Sequence, residues 1–378
     1  MTMRGSTETV VAPPGVIEAD APATIRGEHD AKRYLRKRIL RAGMRALIKP
    51  LISWKPIEQP KEGYTILIGC TQRLVSMIWA NLSMLNRCDM TGCDQVLIGI
   101  DSLPGELGID LDAKAKEVAP NLKVKFLYYT PHQARVTRLI NWGWIYSWLN
   151  WSKGISQTRT KHAFLHDFDA LLLNPNIIRQ RWEMIRSMGV DYLGHSYYDG
   201  HGVSPADKMV TTFELMFDAE LVRKNHRPIE LFNTMAIFKG RRVEFDTFLN
   251  AQARSSRRFS TPIVREDMVH PSEMIVQFVD FNAGRDRTPA KNNLMMIPYY
   301  QAVGGDFALL DDLTNQMTSG KRVVTLWGRP LDLSRMSWIH ADWLRSLGFQ
   351  VEQHQSGGVR PQVQRYFDAL VSVAAPKE

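Results

Sequence analysis

Three apolar runs recur along the first half of this chain, each ending in polar or glycine residues: YTILIG (64–69), QVLIGID (95–101) and VKFLYYT (124–130). Runs apolar on both alternating faces suit strands covered from two sides, which is how parallel sheets are built. The stretches between them read as helices, Leu74 to Leu85 and Leu111 to Val118. That cadence predicts an α/β domain, a mixed sheet with helices on both faces. It continues with a helix from Pro131 to about Trp151, a fourth strand HAFLHDFDALLL (162–173), a helix over Ile177 to Met188 and a fifth strand VDYLGHS (190–196). Further on come a strand FNTMAIFKG (232–240), helices near Val243 to Ala253 and Ser272 to Val279, a strand VVTLW (323–327) and a helix over 341–347.

Composition narrows the class. With 378 residues, 44% hydrophobic and 23% charged, the chain can bury a full core, and fibrous or wholly disordered classes are excluded. The three cysteines Cys70, Cys88 and Cys93 form no CxxC pair, which excludes a disulfide framework and a thiolate zinc site. No stretch approaches the roughly 18–20 apolar residues of a bilayer crossing. No signal-peptide core is visible either, so the expected location is cytoplasmic.

The net charge of +9 is local. Residues 1–30 hold two cations against five acids, whereas residues 31–57 hold nine cations and no acid, leaving +3 for the other 321 residues. A nearly balanced body argues against nucleic acid as a partner. Residues 1–30 read as a disordered tail. Residues 31–53 have the spacing of an amphipathic helix, with Tyr34, Leu35, Ile39, Leu40, Met44, Leu47, Ile48 and Leu51 at intervals of three and four and cations in the gaps. Two readings follow: a helix on an anionic membrane surface, or one packing its apolar stripe on the body with its charges in water.

The fourth strand carries Asp167-Phe168-Asp169. Side chains two apart on a strand share a face, so both carboxylates are expected at one spot near the strand's C-terminal end, where α/β sheets bind ligands. Two hard oxygen donors there suit Mn²⁺ or Mg²⁺ shared with phosphate oxygens. A solvated strand-end pair capping the turn before Asn174-Pro175 is the plainer alternative.

Upstream lies Arg135-Val-Thr-Arg138-Leu-Ile-Asn141-Trp-Gly143, and Asp101 ends the second run. With the ordered strands and the DxD, this arrangement resembles the GT-A glycosyltransferases, particularly the family 2-like ones, over about Tyr64 to Leu173. The resemblance implies a GT-A catalytic domain over residues 58–350, after a basic helix and linker at 31–57 and before a C-terminal helix or tail at 351–378. It implies a nucleotide-diphosphate sugar donor, a hydroxyl acceptor (glycan or lipid-linked) and a bound Mn²⁺ or Mg²⁺. Thr71 and Arg73 would line the nucleobase pocket, with Asp101 accepting a base or ribose hydrogen bond. Arg138, in the motif that includes Asn141, would lean on the pyrophosphate. Asp167 would touch ribose or sugar, and Asp169 would hold the metal.

An inverting member also needs a carboxylate base, for which Glu266-Asp267 and Glu273 both stand as candidates; a retaining one needs none. His270 and His340 are candidates for a third metal ligand. The glycine-rich stretch from Gly194 to Gly202 reads as an active-site loop. Trp142, Trp144, Trp148 and Trp151 could stack on an acceptor, though on a helix against a sheet they suit the core.

Two rivals use the same residues differently. The strand FLHDFDALLLN also resembles the first motif of haloacid dehalogenase-like phosphatases, with Gly305-Asp306 and Asp311-Asp312 as a later acidic motif. Leu171 replaces the Thr or Val usual there, and at least three strands precede the motif. A non-catalytic peripheral membrane scaffold would leave the DxD accidental.

Overall fold

The computed structural model describes residues 28–196, 200–262, 264–285 and 290–374. Most of the tail, and Tyr197, Tyr198 and Asp199 of the glycine-rich stretch, lie outside the described residues. In chain order the elements are α1 (Ala31–Ile48), β1 (Lys61–Cys70), α2 (Met77–Leu85), β2 (Cys93–Ile100), α3 (Leu111–Val118), β3 (Val124–Tyr128), α4 (Pro131–Ile140), α5 (Gly143–Gln157), β4 (Thr160–His166) and β5 (Leu171–Leu172). Next are α6 (Ile177–Met188), β6 (Tyr192–Ser196), β7 (Val210–Asp218), α7 (Ala219–Asn225), β8 (Thr234–Phe238), β9 (Arg241–Phe245), α8 (Leu249–Gln252) and β10 (Arg258–Thr261). The chain closes with β11 (Met268–Val269), α9 (Met274–Asn282), α10 (Met296–Val303), α11 (Ala308–Thr318), β12 (Val323–Leu326), β13 (Arg329–Asp332), α12 (Trp338–Ser356) and α13 (Pro361–Ala374).

One seven-stranded sheet organises them, in the order β10-β6-β7-β4-β1-β2-β3. Strands β4, β1, β2 and β3 are parallel, and β7 runs against both β4 and β6. The expected mixed α/β sheet is therefore present. Its first three strands step outward from β1 to β3, while β4 sits on the other edge of β1. The chain's progress thus reverses between β1 and β4, and such a switch point opens a crevice at the strands' C-terminal ends.

Alternation along the strands splits the core. Ile66, Ile68, Val96, Ile98 and Phe164 face α2 and the C-terminal helices, whereas Leu67, Leu97, Ala163 and Leu165 face α5. All are at most 1% exposed, and each large side chain buried this way contributes roughly 1.5–3 kcal/mol. Helix α5 comes in close because Gly69 and Gly99 are paired across β1 and β2. A Cβ at Gly99 would stand 2.9 Å from the Asn150 Cβ. Among the described residues no helix is long and apolar enough to cross a membrane.

Several boundaries differ from the sequence reading. The helix expected from Pro131 to Trp151 is two helices, because Asn141 takes the left-handed conformation (φ 48) and ends α4. The strand over 162–173 is broken by a turn at residues 167–170, so the aspartates lie beyond β4. The strand expected over 232–240 is β8 of a hairpin with β9, apart from the main sheet, and the helix expected near Val243 to Ala253 is shortened to α8 after that hairpin. Strand β12 likewise pairs only with β13. Helix α12 runs through the boundary drawn at residue 350.

The basic helix is present but divides its residues unexpectedly. Tyr34, Arg41 and Ile48 turn inward and are buried. Glu244 on β9 is the cause: Lys37 and Arg41 both pair with it, the latter at 2.7 Å, and Arg45 donates to the Phe232 carbonyl at 2.9 Å. Arg41 also lies over the Trp142 and Trp144 rings, at 4.1 and 4.4 Å. Neither face matches the simple stripe: part of the basic set packs on the body, and Leu35, Ile39, Leu40 and Leu47 remain exposed.

Candidate functional site

The chain leaves β4 at His166 and folds into a tight turn, closed by the Ala170 N–H donating to the Asp167 carbonyl at 3.0 Å. This turn, rather than strand alternation, sets the direction of the two carboxylates. Asn81 on α2 holds it from beneath: its side-chain amide donates to the Asp167 carbonyl at 3.1 Å and the Ala170 carbonyl at 2.8 Å, and lies 3.0 Å from His166 Nε2. The Tyr300 hydroxyl on α10 donates to the Asp169 carbonyl at 3.0 Å. Four backbone and side-chain groups are fixed by two buried residues, so the turn is preorganised.

A histidine reaches the turn from far along the chain. Strand β11 pairs antiparallel with β5, Met268 opposite Leu172 and Val269 opposite Leu171, which delivers the next residue, His270, beside the turn. Its Nε2 lies 3.5 Å from Asp169 Oδ1 and 3.9 Å from Asp167 Oδ2. The ring stacks on Phe213 with centroids 4.6 Å apart. One donor atom from each of Asp167, Asp169 and His270 falls within 4.8 Å of the others. Two carboxylates and one imidazole fit a divalent cation such as Mn²⁺, which accepts hard oxygen and borderline nitrogen donors and keeps positions open for phosphate oxygens.

Electrostatics at the turn favour a cation. Burial first, then the Asp169 charge, push the Asp167 carboxyl above its usual range. Burial alone would lower the His270 imidazole, but the Asp169 charge and hydrogen bond, with Asp167, lift it above its ordinary value. Asp246, itself raised by burial, adds further negative potential at Asp167. Below lies a buried ion-paired layer: Glu214 on β7 pairs with His195 and with Arg181 of α6, the latter at 3.3 Å. Phe213 stacks between the His195 and His270 rings.

The adjacent ends of β1 and β2 form a second cluster. The Thr71 hydroxyl donates to Asp101 Oδ2 at 3.1 Å, and the Gln72 N–H donates to Oδ1 of the same carboxylate. Burial raises the Asp101 carboxyl, and these donors pull it back in part. Burial first, then the Asp101 charge, raises the Tyr146 phenol on α5, whose hydroxyl donates to the Thr137 carbonyl at 3.0 Å. Arg73 is exposed, and Arg138 pairs with Glu106 at 2.6 Å. Asn141 spends its backbone on the α4 cap, donating to the Thr137 carbonyl at 2.8 Å. At the end of β1, burial first, and then the charges of Asp101 and Asp169, raise the Cys70 thiol.

No family model matches the sequence, and no curated protein matches it. Similar solved structures include TarS 1-349 from S. aureus, 11% identical, covering 82% of this chain and 90% of that one with a TM-score of 0.38. The same protein in complex with UDP-GlcNAc gives 11% identity and a TM-score of 0.35 over the same shares, 82% and 90%. The mannosyltransferase PcManGT from Pyrobaculum calidifontis, in complex with GDP-Man and Mn²⁺, is 12% identical over 90% of this chain and 95% of that one, with a TM-score of 0.34. Likeness at this level decides nothing about the chemistry of this chain.

Other expected residues sit elsewhere. Of the two candidate third ligands, His270 joins the aspartates. His340 does not: its Nε2 lies 2.8 Å from Asn293 Oδ1, its ring stands 5.1 Å from that of Trp343, and burial lowers its pKa to about 4. Asp267 fastens the β5–β11 junction, its carbonyl accepting from Leu173 and Asn174 and its carboxylate from the Asn174 amide at 2.7 Å. Glu273 is exposed and left-handed (φ 65) at the start of α9. Within the glycine-rich stretch, His195 is buried against Glu214, and His201 is 3.9 Å from Glu244. Trp148 is core, 1% exposed. Asn81, Glu214, Tyr300 and Asp246 escaped the sequence reading, because no local spacing ties them to the DxD.

Proposed function

We propose that this chain is a metal-dependent GT-A glycosyltransferase of the family 2-like kind, moving a sugar from a nucleoside diphosphate to a hydroxyl acceptor. The observation that carries the reading is the meeting of Asp167, Asp169 and His270 just beyond the C-terminal end of β4, the neighbour of β1, at whose own C-terminal end Thr71 pairs with Asp101. Asp169 and His270 would hold the divalent cation, with Asp167 as a further ligand or a contact to ribose. When bound, that cation stabilises the negative charge that builds on the departing diphosphate.

The chain's own residues supply the rest. Asp101, aimed by Thr71 and Gln72, accepts hydrogen bonds from the nucleoside. Arg73, with Thr71, lines the nucleobase pocket, and Arg138 leans on the diphosphate, exchanging Glu106 for it; such an exposed ion pair costs little to open. Asp267 and Glu273 remain the two acids proposed to deprotonate the acceptor in an inverting reaction, and Asp267 would serve only with its hold on Asn174 released.

The phosphatase reading is weaker because β1, β2 and β3 precede the motif in the same sheet. A panel of UDP- and GDP-sugars, incubated with Mn²⁺ or Mg²⁺, separates the two. Release of free sugar and nucleoside diphosphate from a donor is expected. Cleavage of p-nitrophenyl phosphate with no donor consumed assigns the phosphatase instead.

A further inference from the structure

Helix α1 is fastened to the body on one side and, among the described residues, uncovered on the other. Leu35, Ile39, Leu40 and Leu47 are between 56% and 65% exposed. At 100° per residue all four project to the side opposite Tyr34, Arg41 and Ile48. Rolling the helix to bury them would pull Lys37 and Arg41 off Glu244 and Arg45 off the Phe232 carbonyl. The apolar stripe therefore stays outward in the lone chain. Arg36 stands within it, Arg33 and Arg38 border it, and the helix and its flank to residue 57 hold no acid.

We propose that the outward face of α1 docks on an anionic lipid bilayer, leucines and isoleucine among the acyl chains and arginines at the headgroups. An interfacial helix has this make-up, an apolar face bordered by cations, lying in the membrane plane. Self-association across the same face would bring two cationic surfaces together, which opposes a second copy as occupant. The sequence pattern suggested a membrane helix; the structure adds which face is free and why it cannot turn inward. The proposal stands apart from sugar transfer, so either can fail alone.

Co-sedimentation of the full chain tests it, with vesicles of equal parts phosphatidylcholine and phosphatidylglycerol against vesicles of phosphatidylcholine alone. Binding to the anionic vesicles, weakened by salt, is expected. Ile39→Glu with Leu47→Glu should lower it by about tenfold or more, since acids replace buried apolar groups beside anionic lipid. Both residues are exposed, so the melting temperature should not move, which keeps a folding defect distinguishable. A wild-type chain that stays in the supernatant, equal binding to both vesicles, or a double variant that sediments unchanged overturns the proposal. So does a dimer in light scattering that these substitutions abolish without any effect of lipid.

Discussion

His270 Nε2 stands 3.5 Å from Asp169 Oδ1, although three strands of the main sheet, β6, β7 and β10, and the whole β8–β9 hairpin intervene in the chain. A pairing of two-residue strands, β11 on β5, sets that distance. The contact joins a histidine with no motif of its own to a motif that is weak alone, and together they make a donor set.

His270 and His340 can be told apart directly. His270→Ala should weaken Mn²⁺ binding in the presence of nucleoside diphosphate by at least about tenfold, as expected for loss of an imidazole ligand or its immediate support. His340→Ala should leave that affinity within about twofold and lower the melting temperature instead, since it removes the bond to Asn293 from a buried side chain. Calorimetric titration of both variants checks the contrast.

Asn81→Ala removes the donor shared by the Asp167 and Ala170 carbonyls. Leaving a buried acceptor unpaired costs about 1–3 kcal/mol, so denaturant unfolding should register a loss of that order. Metal affinity should fall as well, because the turn that aims the carboxylates is no longer held. Unchanged stability in this variant removes Asn81 as its support.

Thr71→Val takes one donor from Asp101 while keeping the side chain's shape. A hydrogen bond of this kind is worth about 0.5–1.5 kcal/mol, which predicts a loss of roughly 2- to 10-fold in nucleotide affinity. Metal binding measured without nucleotide should be unaffected, and a parallel loss in both would move Thr71 out of the nucleotide cluster.

The hold on α1 has a pH signature. Burial by itself would raise the Glu244 carboxyl, but hydrogen bonds and charge from Lys37 and Arg41 outweigh it and hold the group at about 2, against 4.5 for a free glutamate. The folded state then binds fewer protons between those values, so this contribution is complete above about 4.5 and lost as pH falls through about 2. Its upper bound is on the order of 3 kcal/mol. In thermal unfolding, Glu244→Gln should be less stable than wild type near neutrality, with the gap closing as the solution is acidified through this window. A gap that does not vary with pH contradicts the ion-pair account.

Much of this was legible in the chain. The runs at Tyr64, Gln95, Val124 and His162 became the parallel strands because continuous apolar character on both faces leaves few alternatives. The placement of the DxD at the end of β4 followed from that order. The direction of the carboxylates did not, since a turn closed by Asn81 and Tyr300 replaced the last residues of the expected strand. Two local signals went unread. Asn141 is a residue type that readily takes the left-handed conformation at a helix end. Lys239-Gly240, with φ of 49 and 78, is a two-residue hairpin turn inside what was read as strand then helix. His270 stood as a candidate ligand beside His340, but no local pattern chose between them, because its place depends on a strand pair too short to show in any pattern.

Binding of Mn²⁺ followed by electron paramagnetic resonance, with UDP or GDP present and in wild type beside Asp169→Asn, tests the metal site most directly. The wild-type chain should sequester Mn²⁺ with at least one of the two nucleotides, and the variant should leave the free-ion signal intact while folding normally by circular dichroism. Equal sequestration by both proteins, or none by the wild type with either nucleotide, contradicts a shared cation at Asp169.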